Sequence, residues 1–76
     1  MKTAKLTGRK KKLLKILIEL YIKYGKPIGS GIIYREFDLG LSPATIRLEL
    51  AELESMGFLH SPSIASGRIP TEKGIK

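Results

Sequence analysis

A chain of 76 residues with 42% hydrophobic residues, no cysteine and one histidine, His60, is one small domain at most. It has no disulfide, no Cys-ligated zinc and no thiol nucleophile, and a single imidazole does not make a metal site. The net charge of +7 is one-sided: residues 1–15 hold seven lysines and arginines and no acid, whereas from residue 16 onward seven basic residues balance seven acidic ones.

The excess charge therefore sits on residues 1–7, read as a basic flexible arm, and on the start of the first helix. Such a cluster points to a polyanion partner, or alternatively to a solvated tail that aids solubility. No apolar run reaches the roughly 18–20 residues of a membrane span. The basic N-terminus is not followed by the uninterrupted apolar stretch of a signal peptide. A cytoplasmic location and no membrane partner are expected.

Residues 8–76 read as one folded domain. Thr7 caps a helix over residues 8–24, and Gly25 stands where a left-handed C-terminal residue belongs. Leu13, Leu14, Leu17, Leu20, Tyr21 and Tyr24 recur at spacings of three and four, which predicts a core face. Ile16, Ile18 and Ile22 widen it beyond one stripe, so this helix is expected to be covered on more than one side. Lys26-Pro27-Ile28-Gly29 reads as a connector. Ser30 is the expected N-cap of a short helix over residues 31–37, with Ile33 and Phe37 facing inward. Asp38-Leu39-Gly40 ends it.

Ser42-Pro43 opens the third helix with a capping hydroxyl and then a proline at the first helical position. Ile46, Leu50 and Leu53 share its core face, and Gly57 stops it. Phe58-Leu59-His60 predicts a short strand, residues 61–67 a loop, and Arg68-Ile69-Pro70 a returning edge strand. Thr71 is expected to cap one more helical turn. Two helices joined by a glycine-containing turn, then a hairpin, define the expected class: mainly α with a small β-hairpin, a winged helix-turn-helix of three helices plus wing. That order predicts a helix in a DNA major groove with a hairpin beside it.

Stepping about 100° per residue from Ile46 places Ala44, Thr45, Leu48, Glu52 and Ser55 on the far side of the third helix. Its N-terminal part, with Ser42, is small, uncharged and acid-free, which suits entry into a groove N-terminus first. Leu48 is out of place on a bare solvated face but suits a thymine methyl. Arg47, on the flank, can reach a phosphate or guanine, or pair with an acid such as Glu36. Thr45 can meet a base or only its own helix backbone. Ser30 is first a cap, with a phosphate contact as a second role. Ser66-Gly67-Arg68 puts a cation beside a flexible tip, suited to the minor groove or adjacent phosphates, or to pairing with Glu72. Lys10, Lys11 and Lys12 are expected on phosphates without sequence information, or simply in solvent. His60 reads as a neutral polar residue at a strand end. No nucleophile–base pair, carboxylate pair or metal cluster is visible, so neither an enzyme nor a cofactor is expected. The competing reading is a winged helix used as a protein-interaction module, its basic arm contacting RNA or an acidic partner.

The chain also resembles the N-terminal DNA-binding domain of the HrcA family, the bacterial heat-shock repressors. The resemblance lies in Gly25-Lys-Pro-Ile-Gly-Ser30, Leu39-Gly-Leu-Ser42, Ala44-Thr-Ile-Arg47, Ala51-Glu-Leu-Glu54, Gly57-Phe-Leu59 and Ser66-Gly-Arg-Ile-Pro-Thr71. It implies repression of chaperone operons at an inverted-repeat operator bound as a dimer, with support from a GroEL-type chaperonin. It also implies Ser42, Ala44, Thr45 and Arg47 on the recognition helix and Arg68 at the wing. The chain departs from the family pattern at Gly31 (usually Lys), Pro43 (usually Ser) and Leu48 (usually Asn). An Asn reads adenine bidentately and a Leu does not, so the family's base preference is not implied at that position. Typical members continue into dimerisation and regulatory regions. No dimerising helix is evident in these 76 residues, so the isolated chain is expected to be mostly monomeric.

Overall fold

The computed structural model describes residues 7–63 and 67–75. In order, the elements are α1 (Gly8–Tyr24), α2 (Ser30–Glu36), α3 (Pro43–Ser55), β1 (Leu59–His60), β2 (Ile69–Pro70) and α4 (Glu72–Ile75). Each long helix begins on the hydroxyl expected of it. Thr7 Oγ1 accepts from the Lys10 amide at 3.2 Å, and Ser42 Oγ accepts from the Thr45 amide at 3.1 Å. Both caps satisfy an amide that the helix itself leaves unpaired. Gly25 closes α1 in the left-handed conformation, its amide donating to Tyr21 O.

The second helix starts one residue earlier than expected. Gly29 occupies the cap position without a side-chain bond, and Ser30 is the first helical residue. Ser30 is therefore not the N-cap, and its hydroxyl is not committed to capping. At the other end Phe37 is the C-cap, half-buried against the core.

The core is aliphatic. Leu13, Leu14, Ile16, Leu17 and Leu20 of α1 meet Ile33 of α2, Ile46, Leu50 and Leu53 of α3, Leu59 of β1 and Ile28. Burying each such side chain contributes on the order of 1.5–3 kcal/mol. Two expected members of the α1 core face lie outside. Tyr24 is exposed and donates its hydroxyl to Glu36 Oε2 at 2.6 Å, and Ile22 is 76% exposed. Both lie in the last turn of α1.

The wing is a two-stranded antiparallel ladder pairing Leu59 with Pro70 and His60 with Ile69. Its strands are shorter than expected, because Phe58 and Arg68 fall outside them. Arg68 instead bridges Ile28: each amide donates to the other's carbonyl at 2.8 Å. The stretch read as a connector thus supplies a third extended segment, which seats fully buried Ile28 in the core. Gly67, at φ +90, makes the bridge possible, since a Cβ there would meet the Ile28 carbonyl carbon at 2.8 Å. Thr71 does cap α4: the Gly74 amide donates to its Oγ1 at 3.1 Å. The same hydroxyl donates to Gly57 O at 2.6 Å, and Lys73 Nζ donates to Met56 O at 2.9 Å. These bonds fasten α4 to the end of α3. Of the arm expected at residues 1–7, Thr7 is the α1 cap, and residues 1–6, like Ser66 of the wing, lie outside the described residues.

Candidate nucleic-acid interface

The first two turns of α3 present their outer face to solvent. Ser42, Ala44 and Leu48 are exposed, Leu48 at 62%, while Thr45 is half-buried. Ser42 Oγ donates to Thr45 Oγ1 at 3.0 Å, so the threonine hydroxyl is engaged by the cap rather than by the helix backbone. No acidic residue lies in the first turn of α3. The acids follow later, and each has an internal cation. Glu49 and Glu52 face α1, and Glu54 faces the wing.

The pairing of these acids revises the expected roles of two cations. Lys10 Nζ lies 2.8 Å from Glu49 Oε1 and 2.7 Å from Glu52 Oε1, and Arg9 Nη1 lies 3.1 Å from Glu49 Oε2. Lys10 is only 13% exposed along its side chain, so it serves as a clasp between α1 and α3 rather than as a free phosphate contact. Hydrogen bonds to Glu49 and Glu52 raise its pKa, and the bond from Lys10 holds the Glu49 carboxyl below the ordinary carboxylate range despite partial desolvation. Lys11 and Lys12 remain exposed and form no ion pair among the described residues.

Arg68 also differs from expectation. It directly precedes β2, where the wing loop rejoins the ladder, and its partner is Glu54 rather than Glu72. Arg68 Nε donates to Glu54 Oε1 at 3.0 Å, and Ser61 Oγ donates to the same oxygen at 3.0 Å. Burial pushes the Glu54 carboxyl up, but the bonds from Arg68 and Ser61 outweigh it and leave its pKa lowered. Glu36, considered as a partner for Arg47, is taken by Tyr24. Arg47 is exposed and in no ion pair among the described residues.

These pieces meet in an open cleft of about 610 Å³ between α3, the start of α2 and the wing. It is lined by Gly29, Ser30, Arg47, Ser61, Ser63, Gly67 and Arg68, with no carboxylate among the described residues. Four expected contact residues, Ser30, Arg47, Gly67 and Arg68, are brought together here from three separate segments. The hydroxyls of Ser61 and Ser63, which line the cleft, and the carboxylate of Glu54, which binds Arg68, carried no signal in the sequence. Glu54 and Arg68 stand fourteen positions apart with no local signal joining them.

No family model matches the chain. Over 71 residues it is 51% identical to the heat-inducible transcription repressor HrcA of Natranaerobius thermophilus, covering 93% of this chain and 21% of that protein. The repressor HrcA of Desulfitobacterium hafniense is 46% identical over 68 residues, covering 90% of this chain and 20% of the relative. A hypothetical protein with a crystal structure at 2.2 Å superposes with a TM-score of 0.88 at 37% identity, over 93% of this chain and 22% of its own. The chain matches the N-terminal part of HrcA. It spans about a fifth of the length of the curated HrcA relatives it matches. The fold shared with the solved structure is the winged helix expected from the order of elements. The HrcA likeness takes in α3, the two-arginine cleft and the wing as one continuous stretch.

Proposed function

We propose that the chain binds double-stranded DNA in a sequence-dependent way, as the DNA-binding part of an HrcA-type transcriptional repressor. The observation that carries this reading is the acid-free outer face at the start of α3, set beside a cleft with two arginines and no carboxylate among the described residues. Ser42, Ala44, Thr45 and Leu48 approach base edges in the major groove. Arg47, Arg68, Ser30 and the Gly67 backbone contact phosphates and fix the register, whereas Lys11 lines a groove on α1 outside the cleft. The similarity to proteins named heat-inducible transcription repressors supports a heat-shock operon as the target. An inverted-repeat operator calls for two copies at a spacing set by its half-sites. The isolated chain is expected to be mostly monomeric, with two copies meeting on such an operator. A tight dimer in sedimentation at micromolar concentration contradicts that.

A second surface favours a different reading. Ile22 and Ile75 are 76% and 61% exposed, and a shallow groove on α1 is lined by Leu14, Ile18 and Gly74 with Lys11, Lys15 and Glu19 at its rim. On that reading the winged helix docks a protein. Fluorescence anisotropy separates the two, using an inverted-repeat duplex of the HrcA operator type and a scrambled control across a salt series. Repression predicts at least about tenfold tighter binding of the operator, with both complexes weakening steeply in salt. Equal binding of both duplexes removes the sequence-dependent claim. No binding of either at low salt removes DNA altogether and leaves the docking module.

A further inference from the structure

The position of Glu54 is at first sight unfavourable. A carboxylate next to a DNA-facing cleft repels phosphate, yet this one is tied to the residue best suited to hold phosphate. Its Oε1 accepts from Arg68 Nε and from Ser61 Oγ, both at 3.0 Å, so one oxygen of α3 secures both legs of the wing. The Arg68 backbone is fixed independently by its paired hydrogen bonds with Ile28 and by Gly67 packed against the Ile28 carbonyl. With its backbone and Nε both held and its side chain 18% exposed, Arg68 is fixed against α3 where the wing loop rejoins the ladder. Nε is one of five N–H donors on a rigid planar fork, so fixing it orients the rest. Arg68 and Arg47 line the same cleft, together with Ser30 and Ser61, whereas Glu54 is not among its lining residues.

We propose, resting on the DNA-binding reading above, that Glu54 is a positioning residue that holds Arg68 at the cleft wall, where Arg68 and Arg47 together grip one backbone phosphate of DNA. The contact is independent of base sequence. Arg68 is then a phosphate clamp rather than a minor-groove reader. Its side chain is ordered before DNA arrives, which lowers the entropy cost of binding.

Because the contact ignores sequence, the test needs no operator. Affinity for a short labelled duplex of arbitrary sequence, and for a second unrelated one, is measured across a salt series with the full chain, and melting curves accompany every variant. Arg68→Ala weakens both duplexes alike and lowers the salt slope by about one. Glu54→Gln is the decisive variant, because it removes a negative charge beside DNA. A carboxylate that merely repels phosphate predicts tighter binding on its loss, while a positioning carboxylate predicts binding about threefold or more weaker. The Glu54→Gln weakening disappears in the Arg68→Ala background, as coupled residues require. Tighter binding by Glu54→Gln in both backgrounds overturns the proposal while leaving DNA binding intact. Should Glu54→Gln melt below the assay temperature, Arg68→Lys replaces it: the clamp predicts a fall towards the alanine value, and wild-type affinity overturns it. No binding by the wild-type chain at about 50 mM salt removes the DNA reading and the clamp together.

Discussion

Leu50 and Leu48 stand two positions apart on α3 and have opposite surroundings. Leu50 has no accessible surface, packed among α1 and α3 side chains, whereas Leu48 is 62% exposed. Truncating Leu50 to Ala leaves a cavity and costs about 2–5 kcal/mol, a large share of what so small a domain possesses. Denaturant melts should show that loss or an unfolded chain. Leu48→Asn removes exposed apolar surface and should shift stability by no more than about 0.5 kcal/mol. Its effect belongs to recognition. In selections from randomised duplexes, the wild-type chain should favour thymine at one fixed position, and the Asn variant should move that preference to adenine. Identical selected sequences for the two proteins would remove Leu48 from the base-reading face. At this scale the sequence was informative where the signal was local. Ser42 with Pro43, and Ile46 with Leu50 and Leu53, state their own roles through capping and helical spacing. Lys10 and Arg68 did not, because their acids lie 39 or more and 14 positions away and the fold alone brings them together.

Among the elements, the joint between α1 and α3 depends on the Lys10–Glu49–Glu52 clasp, closed by Arg9. The Lys10 hydrogen bond lowers the folded-state pKa of Glu49. The unfolded chain therefore binds this proton more readily, and the contribution is complete above the ordinary carboxylate range. It is lost as pH falls through that range towards the depressed value. The raised pKa of Lys10 works in the other direction, its share fading as pH rises past the ordinary lysine range. Glu49→Gln should cost about 1 kcal/mol near neutrality and flatten the acid limb of a stability–pH profile. An acid limb as steep as wild type would show that other carboxylates carry it. The wing has a different kind of joint. Gly74 of α4 lies directly under the Phe58 carbonyl oxygen, so a methyl there collides with backbone rather than a movable side chain. Gly74→Ala should push α4 off the hairpin and cost about 1–3 kcal/mol in thermal melts. A melt unchanged from wild type would show that α4 gives way freely. The helices α1 and α3 were legible because each has a hydroxyl cap and an apolar stripe, whereas Ser30 suggested a cap that α2 does not use. The bridge between Ile28 and Arg68 was not, because a single extended residue after a proline carries no alternating pattern.

At the scale of the whole molecule, three cations are neutralised internally by three acids of α3. The acids from Glu49 to Glu54 neutralise Arg9, Lys10 and Arg68 and join α1, α3 and the wing. Among the described residues, Arg47 is exposed and in no ion pair, and so are Lys11, Lys12, Lys15, Lys23, Lys26, Arg35 and Lys73. The composition showed an excess of cations but not which of them the fold consumes. The central claim is that the start of α3 and the adjoining cleft form one DNA-facing surface. Amide chemical-shift mapping during titration of the isotope-labelled chain with a duplex tests it most directly. Shifts are expected at residues 42–48, at Gly29 and Ser30, and at Gly67 and Arg68, with Ile18 and Ile22 of α1 unaffected. Shifts centred on Ile18, Ile22 and Ile75, with α3 unmoved, would contradict it.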